Sequence, residues 1–190
     1  MSNMKLVILD RDGVINRDSD DFVKSPEEWI PIEGSIDAIA ALSKAGYTVV
    51  VATNQSGLAR GLFDLDDLEA MHAKFTDLVA AAGGEVTAIF YCPHGPDDRC
   101  NCRKPKAGLI DAVEAEFDTS AQGVPLVGDS LRDLQAGISK GCQPILVKTG
   151  KGLKTLRQLQ NNPEPGLEQL AVFDNLAQVA NHLLETSPSP

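Results

Sequence analysis

Apolar residues along this chain gather in short runs that alternate with segments of helical period. Lys5 to Leu9 (KLVIL) and Thr48 to Ala52 (TVVVA) are apolar runs too short for helices, and each predicts a buried strand. Val86 to Tyr91, Pro125 to Val127, Pro144 to Val147 and a short Val172-Phe173 pair predict further strands. Between them, helical spacing covers Ser35 to Ala45, with Gly46 suited to its C-cap. It recurs over Leu65 to Ala82, which opens near Asp64 or Asp66 and stops at Gly83-Gly84. Leu109 to Phe117, Arg132 to Ser139 and Ala177 to Leu184 complete the set. Strands that alternate with helices need long crossovers, so the expected fold is α/β: a doubly wound, Rossmann-like parallel sheet with helices on both faces. A single domain over residues 1–190 is expected, with the TSPSP tail (186–190) frayed.

In such sheets the site lies beyond the carboxyl ends of the strands, so the residues after each strand are the candidates. The first strand is followed by DRDGVIN. Asp10 and Asp12, two apart in extended chain, share a side, and Gly13 permits a sharp turn. Close carboxylates repel unless a cation binds or one takes a proton. A plain polar strand end reads the same way. After the second strand, Thr53 offers a hydroxyl, and the amides of Asn54 to Gly57 form either an anion cradle or an ordinary turn. Lys104 follows the third strand and its loop, held out of helix by Pro105. After the fourth strand, Asp129 and Asp133 flank a helix start; one suits its cap and the other suits a Mg²⁺ ion shared with Asp10.

Composition narrows the partners. The 190 residues are 43% hydrophobic and 23% charged, in keeping with a folded domain. No apolar run approaches the ~20 residues of a membrane span, and the first residues lack a signal-peptide pattern, so the cytoplasm is the expected location. The net charge of -10 argues against nucleic-acid or membrane-surface binding. A small anionic substrate would need a metal ion and a few local cations. A monomer is the default expectation.

The stretch YCPHGPDDRCNCRKP carries three of the four cysteines. Reduced cysteines at such paired spacing suit a metal. Cys92, His94, Cys100 and Cys102 would complete a tetrahedral Zn²⁺ shell with no position left for a reacting water, so a structural role is expected. The zinc would pin a loop that aims Arg103 and Lys104. Cys142 reads as a small core residue.

Taken together, DRDGV, TN, Lys104 and GDSLRD resemble, in order, the four motifs of the haloacid dehalogenase-like (HAD) phosphohydrolase superfamily. The resemblance covers Leu6 to Val147. It implies Asp10 as the nucleophile, forming an aspartyl-phosphate, and Asp12 as the general acid/base. It implies Mg²⁺ held by Asp10, the Asp12 backbone carbonyl and Asp129, with Thr53 and Lys104 holding phosphoryl oxygens. The intervals before Thr53 and before Lys104 leave no room for a separate cap domain. The capless pattern with LDRDGVIN, TNQSGLARG and the cysteine loop is similar to the subgroup of heptose 1,7-bisphosphate 7-phosphatases and histidinol-phosphate phosphatases. The first implies ADP-heptose supply for lipopolysaccharide core; the second is the alternative. Substrate contacts implied are Asp18, Ser19, Asp20, Thr53, Asn54, Gln55, Ser56, Arg60, Arg103 and Lys104. Two departures stand out: RDSDDF replaces a His-Gly-Tyr pattern, and Ser130 stands where many members have Lys.

Two rivals fit less well. A receiver-like signalling domain would place its acceptor Asp after the third strand, where this chain has cysteines. A non-catalytic zinc module would leave the strand-end residues unexplained. His72 and His182 read as surface or core positions, Trp29 as packing, and Thr149 to Gly152 (TGKG) as a loop without P-loop context.

Overall fold

The computed structural model describes residues 4–187. Strands and helices alternate throughout: β1 (Lys5–Leu9), α1 (Ser35–Lys44), β2 (Tyr47–Asn54), α2 (Leu65–Ala81), β3 (Ala88–Cys92), α3 (Gly108–Phe117), β4 (Pro125–Gly128), α4 (Leu131–Ser139), β5 (Gln143–Val147), α5 (Gly152–Asn161), β6 (Ala171–Phe173) and α6 (Leu176–Thr186). The six strands form one sheet in the order β3-β2-β1-β4-β5-β6, with every pairing parallel. The chain winds outward from β1 to β3, then returns to the other side of β1. The reversal lies between β1 and β4, the place where such folds open a crevice.

The β-branched runs are buried on both sides. Val7, Leu9, Val49 and Val51 enter one core with residues of α1, α2 and α6. Their neighbours Leu6, Ile8, Val50 and Ala52 enter the opposite core with residues of α3 and α4. A slip of one residue would exchange the two sets, so packing fixes the register. Trp29 is fully buried, with its ring centroid 5.4 Å from that of Phe75, and Cys142 lies in the second core.

The element reading from sequence missed α5. Its Leu156 and Leu159 pack beside Leu134, Leu146 and Leu167, while Leu153 is exposed. The helix is strongly amphipathic, so its period was present in the sequence; its low overall hydrophobicity made it easy to pass over. β2 runs two residues beyond its apolar core because Thr53 and Asn54 still pair with Tyr91 and Cys92. α2 opens at Asp64, whose side chain accepts from the Asp67 N–H in a capping box. The expected frayed tail lies outside the described residues from 188 onward. Before that point α6 continues to Thr186, and Ser187 Oγ sits 2.7 Å from the Tyr47 hydroxyl.

Among the described residues no folded cap interrupts the sheet. Residues 10–34 hold only isolated bridges, from Asn16 to Asp12 and to Pro31, and α2 alone separates β2 from β3. The crevice is left to short loops.

Candidate active site

β1 delivers Asp10 to the crevice floor, where its N–H donates to the Val127 carbonyl of β4 at 2.9 Å. Gly13 then turns the chain with φ of 86°. A Cβ there would collide with the Asp129 carboxylate, so the turn needs glycine for space as well as conformation. Asp129, just past β4, is buried and fixed by the loop after β5. Its Oδ2 accepts from the Lys151 N–H at 2.8 Å, and its carbonyl accepts from Thr155 Oγ1 at 2.7 Å. Thr149 to Lys151 form a turn that braces this carboxylate, while Gly152, expected in the loop, opens α5; Thr149 Oγ1 also donates to the Gly13 carbonyl.

Asp10, Asp129 and Asp133 each place a carboxylate oxygen within 4.8 Å of the others. Burial, then repulsion from Asp133, pushes Asp10 up to about 7 against the attraction of Lys104. Burial and the Asp10 charge push Asp129 up to about 9. Two carboxylates, Asp10 and Asp129, that resist sharing negative charge suit a hard divalent cation, whereas burial at Asp133 is outweighed by the Lys104 charge and the hydrogen bonds from Lys104 and Ser130, which hold it below the usual carboxylate range.

Of the two acids at the start of α4, Asp133 is the cap partner. Its Oδ2 accepts from the Ser130 N–H, the Ser130 hydroxyl and the Asp129 N–H, forming a capping box with Ser130. Its Oδ1 lies 2.7 Å from Lys104 Nζ. Lys104 Nζ also donates to Asp10 Oδ1 at 3.0 Å and to the Ala52 carbonyl at 2.7 Å. These contacts occupy all three ammonium donors. Lys104 therefore brings charge to the crevice more than it brings a free N–H. Asn54 clamps the same residue: its Oδ1 accepts from the Lys104 N–H at 3.0 Å and its Nδ2 donates to the Lys104 carbonyl at 3.1 Å.

Asp12 faces the same pocket but stands outside the three-carboxylate cluster. Its oxygens accept from Arg11, from Asn16 Nδ2 at 2.8 Å and from Gln55 Nε2 at 2.9 Å. Gln55 Nε2 also donates to Thr53 Oγ1 at 2.9 Å. Asp18, Ser19, Asp20, Thr53, Asn54, Gln55, Ser56 and Arg103 line this pocket of about 190 Å³ together with Asp10, Asp12, Lys104 and Asp129. Arg60 does not; its guanidinium lies over the Phe22 ring, 5.4 Å from the centroid, and Phe22 lines the pocket in its place. Arg132 and Lys151 line it too. Sequence reasoning passed over both because each follows the feature that drew attention, Asp129 in one case and a glycine loop in the other.

Beside the pocket, the loop after β3 gathers Cys92, His94, Cys100 and Cys102, with all four ligand atoms within 4.8 Å. Sγ of Cys92 is 3.9 Å from Sγ of Cys100 and 2.9 Å from Sγ of Cys102, and His94 Nδ1 is 3.3 Å from Sγ of Cys102. A tetrahedron about a zinc ion has edges of roughly 3.3–3.8 Å, from bonds of about 2.0–2.3 Å. Three thiols and an imidazole are a donor set that suits such an ion, although the 2.9 Å between Cys92 and Cys102 is shorter than these edges and would have to widen on binding. Arg103 Nη1 donates to the His94 carbonyl at 3.3 Å, which ties the pocket cation to this loop.

Two family models match the chain, HAD-hydrolase-like over residues 101–179 and polynucleotide kinase 3 phosphatase over residues 5–134. The D-glycero-β-D-manno-heptose-1,7-bisphosphate 7-phosphatase of Pseudomonas putida is 58% identical over 181 residues, covering 95% of this chain and 100% of the relative. This chain belongs to that phosphatase family, within the HAD-like hydrolases. The heptose-bisphosphatase fold is also seen in the Bordetella bronchiseptica D,D-heptose 1,7-bisphosphate phosphatase, crystallised with magnesium and phosphate. That structure matches with a TM-score of 0.92 at 56% identity, over 97% of this chain and 100% of the other. The corresponding Burkholderia thailandensis phosphatase matches with a TM-score of 0.74 at 44% identity, over 96% and 99%. Membership makes this chain a phosphoric monoester hydrolase.

Proposed function

We propose that this chain removes the 7-phosphate of D-glycero-D-manno-heptose 1,7-bisphosphate in a Mg²⁺-dependent reaction, using all of residues 1–190 as one catalytic unit. The observation that carries the reading is Asp10, set beside Lys104 and Asp129 at the β1–β4 reversal of the sheet. Asp10 attacks phosphorus and forms an aspartyl-phosphate as the bond to the sugar oxygen breaks. Asp12 gives its proton to the departing alkoxide, then takes one from the water that hydrolyses the aspartyl-phosphate, and so returns to its first state. Lys104 offsets the charge gathering on Asp10 and the phosphoryl group, and the Thr53 hydroxyl helps orient that group. Asp10, Asp129 and the Asp12 backbone carbonyl would hold Mg²⁺, which when bound offsets the repulsion between carboxylate and phosphate. Zn²⁺ in the cysteine loop would be structural, holding Arg103 over the pocket. A cytoplasmic monomer supplying ADP-heptose synthesis for lipopolysaccharide core is the setting this reading implies.

The far side of the pocket favours a bisphosphate. Burial and the nearby Arg132 charge hold Arg103 below the usual arginine range. Two guanidiniums that repel each other gain from an anion between them. Histidinol phosphate would bring a cation there instead. The kcat/KM for the heptose bisphosphate, measured on each anomer, is expected to exceed that for histidinol phosphate by about tenfold or more, since solvent screens part of the mismatch at a half-buried Arg103 and an exposed Arg132. A clear preference for histidinol phosphate would overturn the substrate.

Metal affinity is expected to show in pH-dependent stability. Asp10 and Asp129 hold their protons more tightly folded than unfolded, because their pKa values rise from 3.8 to about 7 and about 9. Their contribution is therefore most favourable below the unfolded value and is lost as pH climbs toward about 7 and then about 9. Mg²⁺ binds the deprotonated forms. Thermal melts in chelator should show Tm falling from pH 5 to pH 9, with Mg²⁺ raising Tm more at pH 9 than at pH 5. Equal stabilisation by Mg²⁺ at both pH values would contradict the assignment of these carboxylates.

A further inference from the structure

Arg11 stands between the two carboxylates of the first motif, yet it is wholly buried and does not line the pocket. A buried guanidinium is costly unless its donors are met. Here most are, and three of the five contacts go to Asp12. Nε and Nη2 donate to Asp12 Oδ1 at 3.2 and 3.0 Å, and Nη2 reaches Oδ2 at 3.2 Å. Nη2 also donates to Gln55 Oε1 at 3.2 Å, while Gln55 Nε2 donates back to Asp12 Oδ2 at 2.9 Å. Asn16 Nδ2 adds a bond to Oδ1 at 2.8 Å. Both carboxylate oxygens are thus pinned from the protein side, and rotation of the carboxylate plane would break several bonds together.

The brace extends to α2. Arg11 Nη1 lies 3.2 Å from His72 Nε2. Arginine only donates, so His72 must accept through a lone pair, which requires a neutral imidazole. Burial and the Arg11 charge push His72 down to about 4, consistent with that form. His72 sits on α2 between the core residues Met71 and Phe75, with its ring 6.4 Å from that of Tyr91. A well-anchored helix, through one imidazole, therefore stops the guanidinium from swinging.

We infer that Arg11, braced by His72 and Gln55, is a positioning residue that holds the Asp12 carboxylate in the orientation from which it exchanges a proton with the leaving-group oxygen. The inference rests on Asp12 as the acid/base. Orientation of this kind matters only where the leaving group needs a proton. A sugar alkoxide does; 4-nitrophenolate departs without one. kcat/KM reports the steps up to leaving-group departure, so the later water attack does not enter the comparison.

The experiment compares kcat/KM on the heptose bisphosphate with kcat/KM on 4-nitrophenyl phosphate, in the Mg²⁺-loaded full chain and its variants. Asp12→Asn is the reference and should lose sugar-phosphate turnover far more than aryl-phosphate turnover. His72→Leu should lower the sugar-phosphate value about tenfold and the aryl-phosphate value less than about twofold, a part of the loss expected on removing an acid. His72→Gln keeps an acceptor and should recover most of the loss. Arg11→Lys keeps the charge but cannot span Asp12, Gln55 and His72 together; it should repeat the selective loss, and it decides the matter if His72→Leu does not fold. Parallel losses on both substrates, or no loss, would overturn the inference while leaving Asp12 as the acid. Failure of Asp12→Asn to discriminate would remove the acid/base reading itself, and this inference with it.

Discussion

Replacing Asp10 with asparagine is expected to lower kcat by on the order of 10⁵-fold, as removal of a nucleophile commonly does. The amide has the shape of the carboxyl but lacks the anionic lone pair that would attack phosphorus. The fold should survive the change. The charged form of Asp10 is opposed by burial and by Asp133, so a neutral side chain is well tolerated at that position. Lys104 retains Asp133 and the Ala52 carbonyl as partners. Phosphate release should therefore vanish while Tm stays within a few degrees. Normal turnover by Asp10→Asn would remove Asp10 from the role given to it.

Lys104→Met should cost both stability and activity. Lys104 is 3% exposed and links Asp10 to Asp133, which itself caps α4. Methionine would fill much of the volume but leave two buried carboxylates without a cation. Breaking a buried pair in this way costs about 3–5 kcal/mol, which for a chain of this size lowers Tm by roughly 10 °C. The loss of a charge beside the phosphoryl group should lower kcat/KM by on the order of 10²–10³. Saturating Mg²⁺ should restore part of the stability, since it offsets the same negative charge, but little of the activity. Thermal melts and phosphate release with and without Mg²⁺ measure both effects. A variant as stable and as active as the parent would mean that the ion pairs are incidental.

The two variants probe one arrangement from opposite signs. Asp10 carries more negative charge than its buried surroundings favour, and Lys104 is the cation that keeps this tolerable. Asp133 shares that cation, which is why a helix cap and a strand-end nucleophile depend on each other. His72 shows the same dependence at longer range: it lies 61 positions from Arg11 in sequence, and the two meet only because α2 packs over the end of β1.

Much of this was readable from the chain. Short β-branched runs between helical segments are a strong signal, because a strand buried on both faces tolerates few polar residues; that alone implied the parallel sheet. Asp10, Asp12, Thr53, Lys104 and Asp129 could be named because a crevice at strand ends draws its chemistry from the residues just past them. The cysteine loop was legible because three thiols and an imidazole at close spacing have few other uses.

Tertiary structure decided the rest. Local sequence cannot order the strands, since the placement of β4 beside β1 depends on how the crossovers pack, and that placement brings Asp129 to Asp10. It cannot say which of Asp129 and Asp133 caps α4, because both spacings suit a cap and only the bonds from Ser130 and the Asp129 N–H to Asp133 Oδ2 separate them. Asn54 and Gln55 line the pocket, and their amides also clamp Lys104 and Asp12, bonds that need partners 50 and 43 positions away. Arg11 was invisible between two acids in an alternating strand end, where a charged side chain would ordinarily face solvent. Sequence by itself determined which chemical groups this protein brings to the crevice; only the packing of distant elements determined which of them face the pocket and which hold the others still.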